Sequence, residues 1–289
     1  MLKKVVICGV GLIGGSFALA LRETGAVGEV VGIGRSRANL DLARQRGIID
    51  RIGACDAATL ADADLVLLAT PVGQMPELMR AMAPHLGVHT VLTDAGSTKS
   101  DVAAAVRACL PAQAARFVPA HPIAGTENSG AGAAQADLYR GAKVILTPLP
   151  ENAPDAVARV RAAWAACGAV IHDMSPARHD QIFAAVSHLP HVLSFALVHE
   201  LAQREDCDEF LRFAASGFRD FTRIAASDPE MWRDICLANR DALLAELECY
   251  QSQLGDLHQA LVAGDAARLE AIFADARSLR RAWTEGKLS

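Results

Sequence analysis

A glycine-rich turn near the N-terminus constrains the fold of this chain more than any other feature of its sequence. Glycines at positions 9, 11 and 14 directly follow an apolar run, Val5 to Cys8, that is typical of a buried strand. A helical pattern over Leu12 to Glu23 begins inside the turn. In such a strand–turn–helix unit the first glycine permits a tight turn, the second lets a pyrophosphate approach the backbone, and the third lets helix and strand pack closely. The turn therefore predicts a Rossmann-type domain that binds a dinucleotide.

Short apolar runs alternate with helical patterns over the first 173 residues. This alternation predicts an α/β fold of the doubly wound type, with a mostly parallel sheet and helices on both faces. The candidate strands are Val5–Cys8, Glu29–Ile33, Asp64–Thr70, Thr90–Asp94, Arg116–Pro119, Lys143–Thr147 and Ala169–His172.

The pattern changes after Ser175. Strand-like runs disappear, and helical periodicity covers roughly 177–203, 206–216, 229–254 and 265–283. We therefore predict a dinucleotide-binding domain over residues 1–173 and an all-helical domain over residues 174–289. Helices rich in Ala and Leu suit a homodimer interface, and a monomeric helical cap fits the pattern nearly as well.

Composition excludes several classes of protein. Hydrophobic residues make up 52% of the chain and charged residues 21%, which allows a large core. The net charge of −5 argues against a nucleic-acid-binding surface. No run reaches about 18 uninterrupted apolar residues, so we expect no membrane span. The seven scattered cysteines contain no CxxC pair, which is typical of reduced thiols in the cytoplasm.

The end of the second predicted strand indicates which dinucleotide binds. An NAD enzyme usually carries Asp or Glu about 20 residues past the glycine motif, whereas Gly34 stands there in this chain. Without that carboxylate, Arg35, Ser36 and Arg37 can bind a 2′-phosphate, which favours NADP over NAD. Alternatively, Arg35 and Arg37 are solvated residues at the start of a helix and do not bind the cofactor. The residues assigned to the cofactor are Gly9, Gly11, Leu12, Ile13, Gly14, Arg35, Ser36, Arg37, Thr70 and Pro71.

Candidate catalytic groups follow later strands, at the edge where open α/β sheets bind ligands. Ser97 lies after one strand and His121 at the end of the next. A histidine there is a candidate general base near neutral pH, although a loop histidine more often has no such role. In the helical half, Pro190 interrupts a helical pattern between His188 and His191. No HExxH arrangement or cysteine accompanies this histidine pair, so we expect no metal site.

Five motifs occur together along the chain. They are GVGLIGGS at 9–16, DAGSTK at 94–99, HPIAGTENSG at 121–130, SHLPH at 187–191 and FTRIAASDPEMW at 221–232. With these motifs the sequence resembles the prephenate/arogenate dehydrogenases of tyrosine biosynthesis, in their monofunctional form, over nearly its whole length. It departs from many members at Gly34, where an Asp is common.

The resemblance implies an enzyme that oxidises and decarboxylates a cyclohexadiene, prephenate or arogenate, to a phenol. It implies that His121 accepts the ring hydroxyl proton, that Ser97 orients His121 and the nicotinamide, and that Arg223 binds a substrate carboxylate. From the residues alone, Arg223 could instead be a structural partner of Asp220. The further pocket residues that the resemblance implies, in part from a homodimer partner, are Thr126, Glu127, Ser187, His188, His191 and Trp232. No residue decides between prephenate and arogenate.

Two alternatives remain at this point. Other two-domain reductases, of the β-hydroxyacid dehydrogenase or pyrroline-carboxylate reductase type, also join a Rossmann domain to helices. They would not be expected to carry both HPIAGTE and SHLPH. The second alternative is a dinucleotide-binding sensor without catalysis, against which the joint presence of Ser97, His121 and Arg223 argues.

Overall fold

A six-stranded parallel sheet forms the centre of the N-terminal half. The computed structural model describes residues 1–125 and 128–287. The strands of this sheet are β1 (Leu2–Cys8), β2 (Val27–Ile33), β3 (Arg51–Ile52), β4 (Leu65–Leu68), β5 (Val91–Asp94) and β6 (Phe117–Val118). Their order is β3-β2-β1-β4-β5-β6, and each neighbouring pair is parallel. This order reverses between β1 and β4, which opens a ligand crevice at the carboxyl ends of the strands.

Helices pack on both faces of the sheet. In this half they are α1 (Leu12–Glu23), α2 (Arg37–Gln45), α3 (Ala57–Leu60), α4 (Met75–Met82), α5 (Ser100–Cys109) and α6 (Pro154–Ala166). Successive side chains of a strand point to opposite faces. Ile7 of β1 accordingly packs with Phe17 and Trp164 in one hydrophobic core, and the adjacent Cys8 packs with Met79 in the other. The predicted doubly wound fold class is confirmed.

The last three strands form a separate sheet, which corrects the prediction of a single one. They are β7 (Ala120–Ile123), β8 (Lys143–Leu146) and β9 (Val170–Asp173), with β7 and β8 antiparallel and β8 and β9 parallel. Pro119 between β6 and β7 has no backbone N–H, and the Ala120 amide donates to the Asp94 side chain (3.1 Å) instead of continuing the first sheet. His121 therefore lies within β7, opposite Ile145, and not after a strand end as predicted.

The chain is helical after β9, as the periodicity indicates. The helices are α7 (Pro176–Phe183), α8 (Leu189–Ala202), α9 (Cys207–Arg212), α10 (Ser216–Thr222), α11 (Pro229–Ala238), α12 (Arg240–Ala263) and α13 (Ala266–Thr284). A π-helical turn, Ala184–His188, joins α7 to α8. Residues 1–240 form one compact unit, and the residues from 241 onward form a second. Helices α7 to α11 thus belong to the same unit as the six-stranded sheet.

One helical stretch, residues 176–202, is long and apolar enough to cross a membrane by length and composition alone. Three of its polar side chains, His179, Asp180 and His188, are nevertheless buried in the protein and hydrogen-bonded there. These buried, hydrogen-bonded ionisable groups tie the stretch to the rest of the protein, although only 28% of its most apolar window is buried. Composition alone therefore does not make this stretch a membrane span.

Trp164 is a sensitive probe of the core that joins α6 to α1. It is fully buried, with its ring 4.6 Å from that of Phe17 and 5.2 Å from that of Tyr139. We expect Trp164→Ala to lower the free energy of unfolding by about 3–5 kcal/mol, measured by urea denaturation. Trp164→Phe keeps a ring and removes an indole N–H that has no hydrogen-bond partner among the described residues. It should lose less than half as much stability, and equal losses would contradict the packing argument.

Candidate active site

The glycine turn has the geometry that a dinucleotide needs. Gly9 has φ 96°, and a Cβ there would lie 2.4 Å from the Ala69 carbonyl oxygen. A Cβ on Gly14 would lie 2.2 Å from the Gly9 oxygen and 2.7 Å from the Ile7 side chain. A Cβ on Gly11, the N-cap of α1, would meet nothing within 4 Å. The first and third glycines are therefore required by packing, and the second faces open space at a helix N-terminus, where a pyrophosphate fits.

The other residues assigned to the cofactor lie along the same edge. Strands β2, β1 and β4 are parallel neighbours, so their carboxyl ends meet beside the turn. Leu12 and Ile13 open α1, Arg35, Ser36 and Arg37 follow β2, and Thr70 and Pro71 follow β4. The structure brings all of these residues to one edge, and together they fit a bound dinucleotide.

The residues after β2 differ in how much they are already engaged. The Ser36 hydroxyl accepts a hydrogen bond from the Asn39 amide (3.3 Å) and so caps α2. Arg37 pairs with Asp41 on the next turn (2.9 Å). Arg35 is exposed and has no ion pair among the described residues. Arg35 is therefore the least engaged of the three residues that follow β2.

A buried ion pair fixes the strand that carries His121. The carboxylate of Asp94, at the end of β5, binds the Lys99 ammonium, and both side chains are fully buried. Asp94 also accepts hydrogen bonds from the amides of Gly96 (2.8 Å) and Ala120 (3.1 Å). The Lys99 ammonium donates to the Ala120 carbonyl oxygen (2.8 Å). Both backbone polar groups of Ala120, the residue before His121, are thus held by this pair.

His121 belongs to a chain of hydrogen-bonded side chains. Its Nδ1 lies 2.8 Å from Nε2 of His179, and Nδ1 of His179 lies 2.8 Å from the carboxylate of Asp180. The Asp180 carboxylate also accepts hydrogen bonds from the amides of Lys99 and Ser100 (2.8 Å each) at the N-terminus of α5. Helix α7 thereby connects the β5–α5 turn to His121. These hydrogen bonds occupy Nδ1 of His121 and leave its Nε2 for a ligand.

The charges of this chain follow from burial and hydrogen bonding. Burial, reinforced by His179 and the Lys99 ammonium, holds the pKa of His121 well below its ordinary value of 6.5. Burial also lowers the pKa of His179, although the hydrogen bond to Asp180 opposes this. Burial disfavours ionisation of Asp180, but the hydrogen bonds it accepts are stronger in sum and hold its pKa below 3.8. At neutral pH both histidines are therefore neutral and Asp180 is a carboxylate.

The π-helical turn places His188 in the interior beside this chain. The Asn239 amide donates to the Asp180 carbonyl oxygen (2.8 Å) and lies 3.0 Å from Nδ1 of His188. Burial, together with the nearby His179, lowers the pKa of His188 to about 4. His188 is therefore a neutral group at neutral pH. Turns of this kind inside helices are frequent at functional sites.

A second group of predicted residues lies next to His188. His191 donates from Nδ1 to the Ser187 carbonyl oxygen (2.9 Å) and stacks on Trp232, with ring centroids 3.6 Å apart. The Trp232 ring also meets that of His188 edge-on at 6.1 Å. Burial lowers the pKa of His191, and the positive charge of Arg223 adds to this effect. A cationic group and stacked aromatic rings are therefore combined here, as a ring substrate with a carboxylate requires.

Within residues 1–125 and 128–287 the Nδ1 atom of His121 is bound by His179, and Ser97 makes no hydrogen bond to the ring. The orienting role of Ser97 stays a prediction. Thr126 and Glu127 lie outside the described residues.

Five buried residues of the site were not singled out from the sequence: Asp94, Lys99, His179, Asp180 and Asn239. Asp94 and Lys99 are the first and last residues of the DAGSTK motif, and this motif is the sequence signal that could have assigned them to the site. The adjacent His179 and Asp180 follow the Ser-Pro start of α7, but periodicity does not reveal that their side chains face β7 and α5. No group of His, Cys, Asp or Glu among the described residues is arranged to hold a metal ion.

Comparison with known proteins identifies two family models along the chain. Residues 17–173 match the prephenate dehydrogenase nucleotide-binding domain, and residues 175–275 match the prephenate dehydrogenase dimerization domain. A prephenate dehydrogenase of Bacillus subtilis is 35% identical over 97% of this chain and 76% of its own length. A cyclohexadienyl dehydrogenase of Zymomonas mobilis is 36% identical, over 97% of this chain and 96% of its own. The crystal structure of prephenate dehydrogenase from A. aeolicus with hydroxyphenyl propionate and NAD+ has TM-score 0.90 at 36% identity, covering 97% of this chain and 98% of that one.

Two glycine substitutions separate folding from dinucleotide binding. Gly14→Ala places a methyl group against the Gly9 oxygen and should lower the free energy of unfolding by about 1–3 kcal/mol. Gly11→Ala meets no protein atom and should change stability by less than about 1 kcal/mol. Its methyl group should still weaken dinucleotide binding by more than about tenfold, a loss of 1.4 kcal/mol. Urea denaturation and isothermal titration calorimetry measure the two effects. Wild-type affinity in Gly11→Ala would place the pyrophosphate elsewhere.

Proposed function

The chain belongs to the prephenate dehydrogenase family, and on that premise we propose that it converts prephenate, arogenate or both to the corresponding phenol in tyrosine biosynthesis. The products are 4-hydroxyphenylpyruvate from prephenate and tyrosine from arogenate. The observation that carries the proposal is His121, held through Nδ1 by His179 and through the preceding Ala120 by the Asp94–Lys99 pair, with Nε2 left for a substrate. Membership of this family separates the chain from the other two-domain reductases and from a sensor without catalysis.

The reaction needs one proton acceptor and one hydride acceptor. The ring carbon that carries the hydroxyl gives up its hydrogen with two electrons to the nicotinamide, which is the chemistry that the bound dinucleotide supplies. His121 accepts the hydroxyl proton at Nε2. The ring carboxylate leaves as carbon dioxide, and its bonding electrons complete the aromatic ring as a phenolate, which takes the proton back from His121 to give the phenol. Aromatisation drives the carbon–carbon cleavage, so the main tasks of the protein are positioning and proton removal.

The surroundings of His121 supply the positioning. We assign Arg223 to a substrate carboxylate, because its charge reaches the His191 ring that stacks on Trp232. Neutral His188 and His191 can hydrogen-bond the side chain or ring of the substrate. Ser187, Thr126 and Glu127 complete the proposed pocket, and Ser97 is proposed to orient the nicotinamide beside His121.

The helical half is the proposed dimer interface. The family model over residues 175–275 describes a dimerization domain. Large apolar side chains are exposed along these helices, among them Val186, Leu197, Phe213, Phe221, Leu261, Phe273 and Trp283. Such residues favour burial against a second copy. We place the boundary between the two domains at residue 174 and propose that the enzyme acts in the cytoplasm, where its seven unpaired cysteines stay reduced.

For the cofactor we propose NADP in preference to NAD. The chain is a nicotinamide-dinucleotide enzyme of a family in which the A. aeolicus protein was crystallised with NAD+. At the end of β2, however, Gly34 offers no carboxylate to repel a 2′-phosphate. Arg35 stands exposed beside it without an ion pair in the described parts of the chain. A phosphate would gain a charge-assisted hydrogen bond at this point.

A four-way assay tests the proposed function. The purified enzyme is given prephenate or arogenate, each with NAD or NADP, and the absorbance of the reduced nicotinamide is followed. We expect turnover with at least one substrate and the faster rate with NADP. Absence of turnover in all four mixtures, from folded protein that binds dinucleotide, would overturn the proposal.

Loss of His121 should remove the chemistry and spare the binding. We expect His121→Asn to lower kcat by about 10²–10⁴-fold, the usual contribution of a positioned general base. Asn keeps a polar group beside His179, so the dissociation constant of the dinucleotide should stay at the wild-type value. Steady-state kinetics and calorimetry measure the two quantities. An unchanged kcat would exclude His121 as the base.

Replacement of Arg35 should change the cofactor preference. We expect Arg35→Asp to lower the NADP-to-NAD ratio of kcat/KM by about 10–100-fold, since a hydrogen bond to a charged group contributes about 1.5–3 kcal/mol. Arg44→Asp, which makes the same change of charge on helix α2, where Arg44 pairs with Asp41, is the matched control and should leave the ratio unchanged. The same ratio in Arg35→Asp and wild type would show that Arg35 does not contact the cofactor.

A further inference from the structure

We propose that His179 is a positioning residue that holds His121 in the tautomer with hydrogen on Nδ1, so that Nε2 is the atom that accepts the substrate proton. The inference deepens the proposed function and rests on it only for the identity of the proton donor. Its basis is the chain of hydrogen bonds from Asp180 through His179 to His121.

The direction of each hydrogen bond follows from the donors and acceptors present. A carboxylate only accepts hydrogen bonds. The Asp180 carboxylate therefore requires the hydrogen of His179 to lie on Nδ1, 2.8 Å away. A neutral His179 then has a lone pair on Nε2, which lies 2.8 Å from Nδ1 of His121. Because this Nε2 can only accept, Nδ1 of His121 must be the donor. The lone pair of a neutral His121 is left on Nε2.

The opposite arrangement would disable the base. A protonated His179 would donate from Nε2 to Nδ1 of His121, and the hydrogen of a neutral His121 would then occupy Nε2. Two carboxylates near His179, those of Asp180 and Asp94, favour its protonation, and the Lys99 ammonium opposes it. A positive charge on His179 would also act on the neighbouring His188, whose pKa it lowers. Full burial of the His179 ring decides the outcome in favour of the neutral form.

The same chain stabilises the product of proton transfer. When Nε2 of His121 takes the proton, the ring becomes an imidazolium that still donates from Nδ1 to His179. The hydrogen on Nδ1 of His179 continues the chain to the Asp180 carboxylate, whose negative charge lies one ring away. A carboxylate that orients a catalytic histidine directly has the same two effects, tautomer selection and charge stabilisation. Here one additional histidine transmits them.

Ring contacts fix the orientation of the two histidines relative to each other. The rings of His121 and His179 meet edge-on, with centroids 5.0 Å apart, and Phe183 packs against both, at 5.0 Å and 4.5 Å. The hydrogen bonds of the His179 ring go to His121 and Asp180. His179 is therefore a cleaner probe than Asp180, whose carboxylate also holds the first amides of α5.

The experiment compares two substitutions of His179. Leu fills the buried space without a hydrogen-bonding group, whereas the Gln amide can accept from His121 and donate to Asp180. We expect His179→Leu to lower kcat by about 10²-fold or more, within the 10⁴-fold cost of a wrong tautomer in a catalytic triad. His179→Gln should recover kcat to within about tenfold of wild type, since it restores both hydrogen bonds. His89→Gln, an exposed histidine outside the site, is the control and should leave kcat unchanged.

Two further measurements separate positioning from general damage. The KM and the dinucleotide dissociation constant should keep their wild-type values in both His179 variants, and thermal unfolding reports whether each variant is folded. Nitrogen-15 NMR of histidine-labelled free enzyme, with the His121 signals assigned by their loss in His121→Asn, reads the tautomer directly. Near neutral pH the wild type should show hydrogen on Nδ1 of His121 and a lone pair on Nε2, and His179→Gln should show the same.

The outcomes are distinct. Hydrogen on Nε2 of His121 in the wild type, or a wild-type kcat in folded His179→Leu, would overturn the inference. Equal losses of kcat in His179→Leu and His179→Gln would also contradict it, because rescue by the amide would be absent. The NMR measurement uses no substrate. Absence of turnover in the wild type would therefore count against the proposed function, while the tautomer would still be tested.

Discussion

The active site depends on the buried ion pair between Asp94 and Lys99. Burying two charges is costly, and such a pair persists where hydrogen bonds satisfy both groups. Here the Asp94 carboxylate and the Lys99 ammonium hold the two backbone polar groups of Ala120, directly before His121. The Lys99 amide donates to Asp180, the acceptor at the far end of the histidine chain. The ion pair therefore fixes the end of β5 and the start of β7, and the backbone amide of Lys99 holds Asp180 in the middle of α7, so that both histidines are held in place.

The two edges of the site bind their ligands by different means. At the dinucleotide edge the turn offers mainly backbone groups, with a middle glycine that leaves space and a helix N-terminus beside it. The substrate edge offers mainly side chains, in surroundings where Lys99 and Arg223 are positive and the histidines are neutral. Prephenate brings two carboxylates into these surroundings. Negative charge favours protonation of a nearby histidine, so we expect bound substrate to raise the pKa of His121 above its value in the free enzyme.

The sequence was sufficient for the features that local patterns encode. Helix Leu12–Glu23 has the predicted bounds, and the change from strands to helices occurs where the periodicity changes. The predicted position of His121, after the end of a strand, is wrong. Alternating apolar runs do not reveal that the first sheet ends at Pro119 and that the next strand belongs to a second sheet. His179 and Asp180 were missed for a related reason. Their role depends on contacts with residues about 60 to 80 positions away, which no local pattern contains.

The fate of one hydrogen atom tests the mechanism most directly. The substrate is labelled with deuterium on the ring carbon that carries the hydroxyl and is mixed with oxidised dinucleotide and enzyme. Mass spectrometry then follows the label, and released carbon dioxide is counted against reduced dinucleotide. With His121 as the base and the nicotinamide as the hydride acceptor, one deuterium should appear in each reduced dinucleotide, with one carbon dioxide released. Deuterium retained on the aromatic product, with carbon dioxide released and no dinucleotide reduced, would contradict the mechanism.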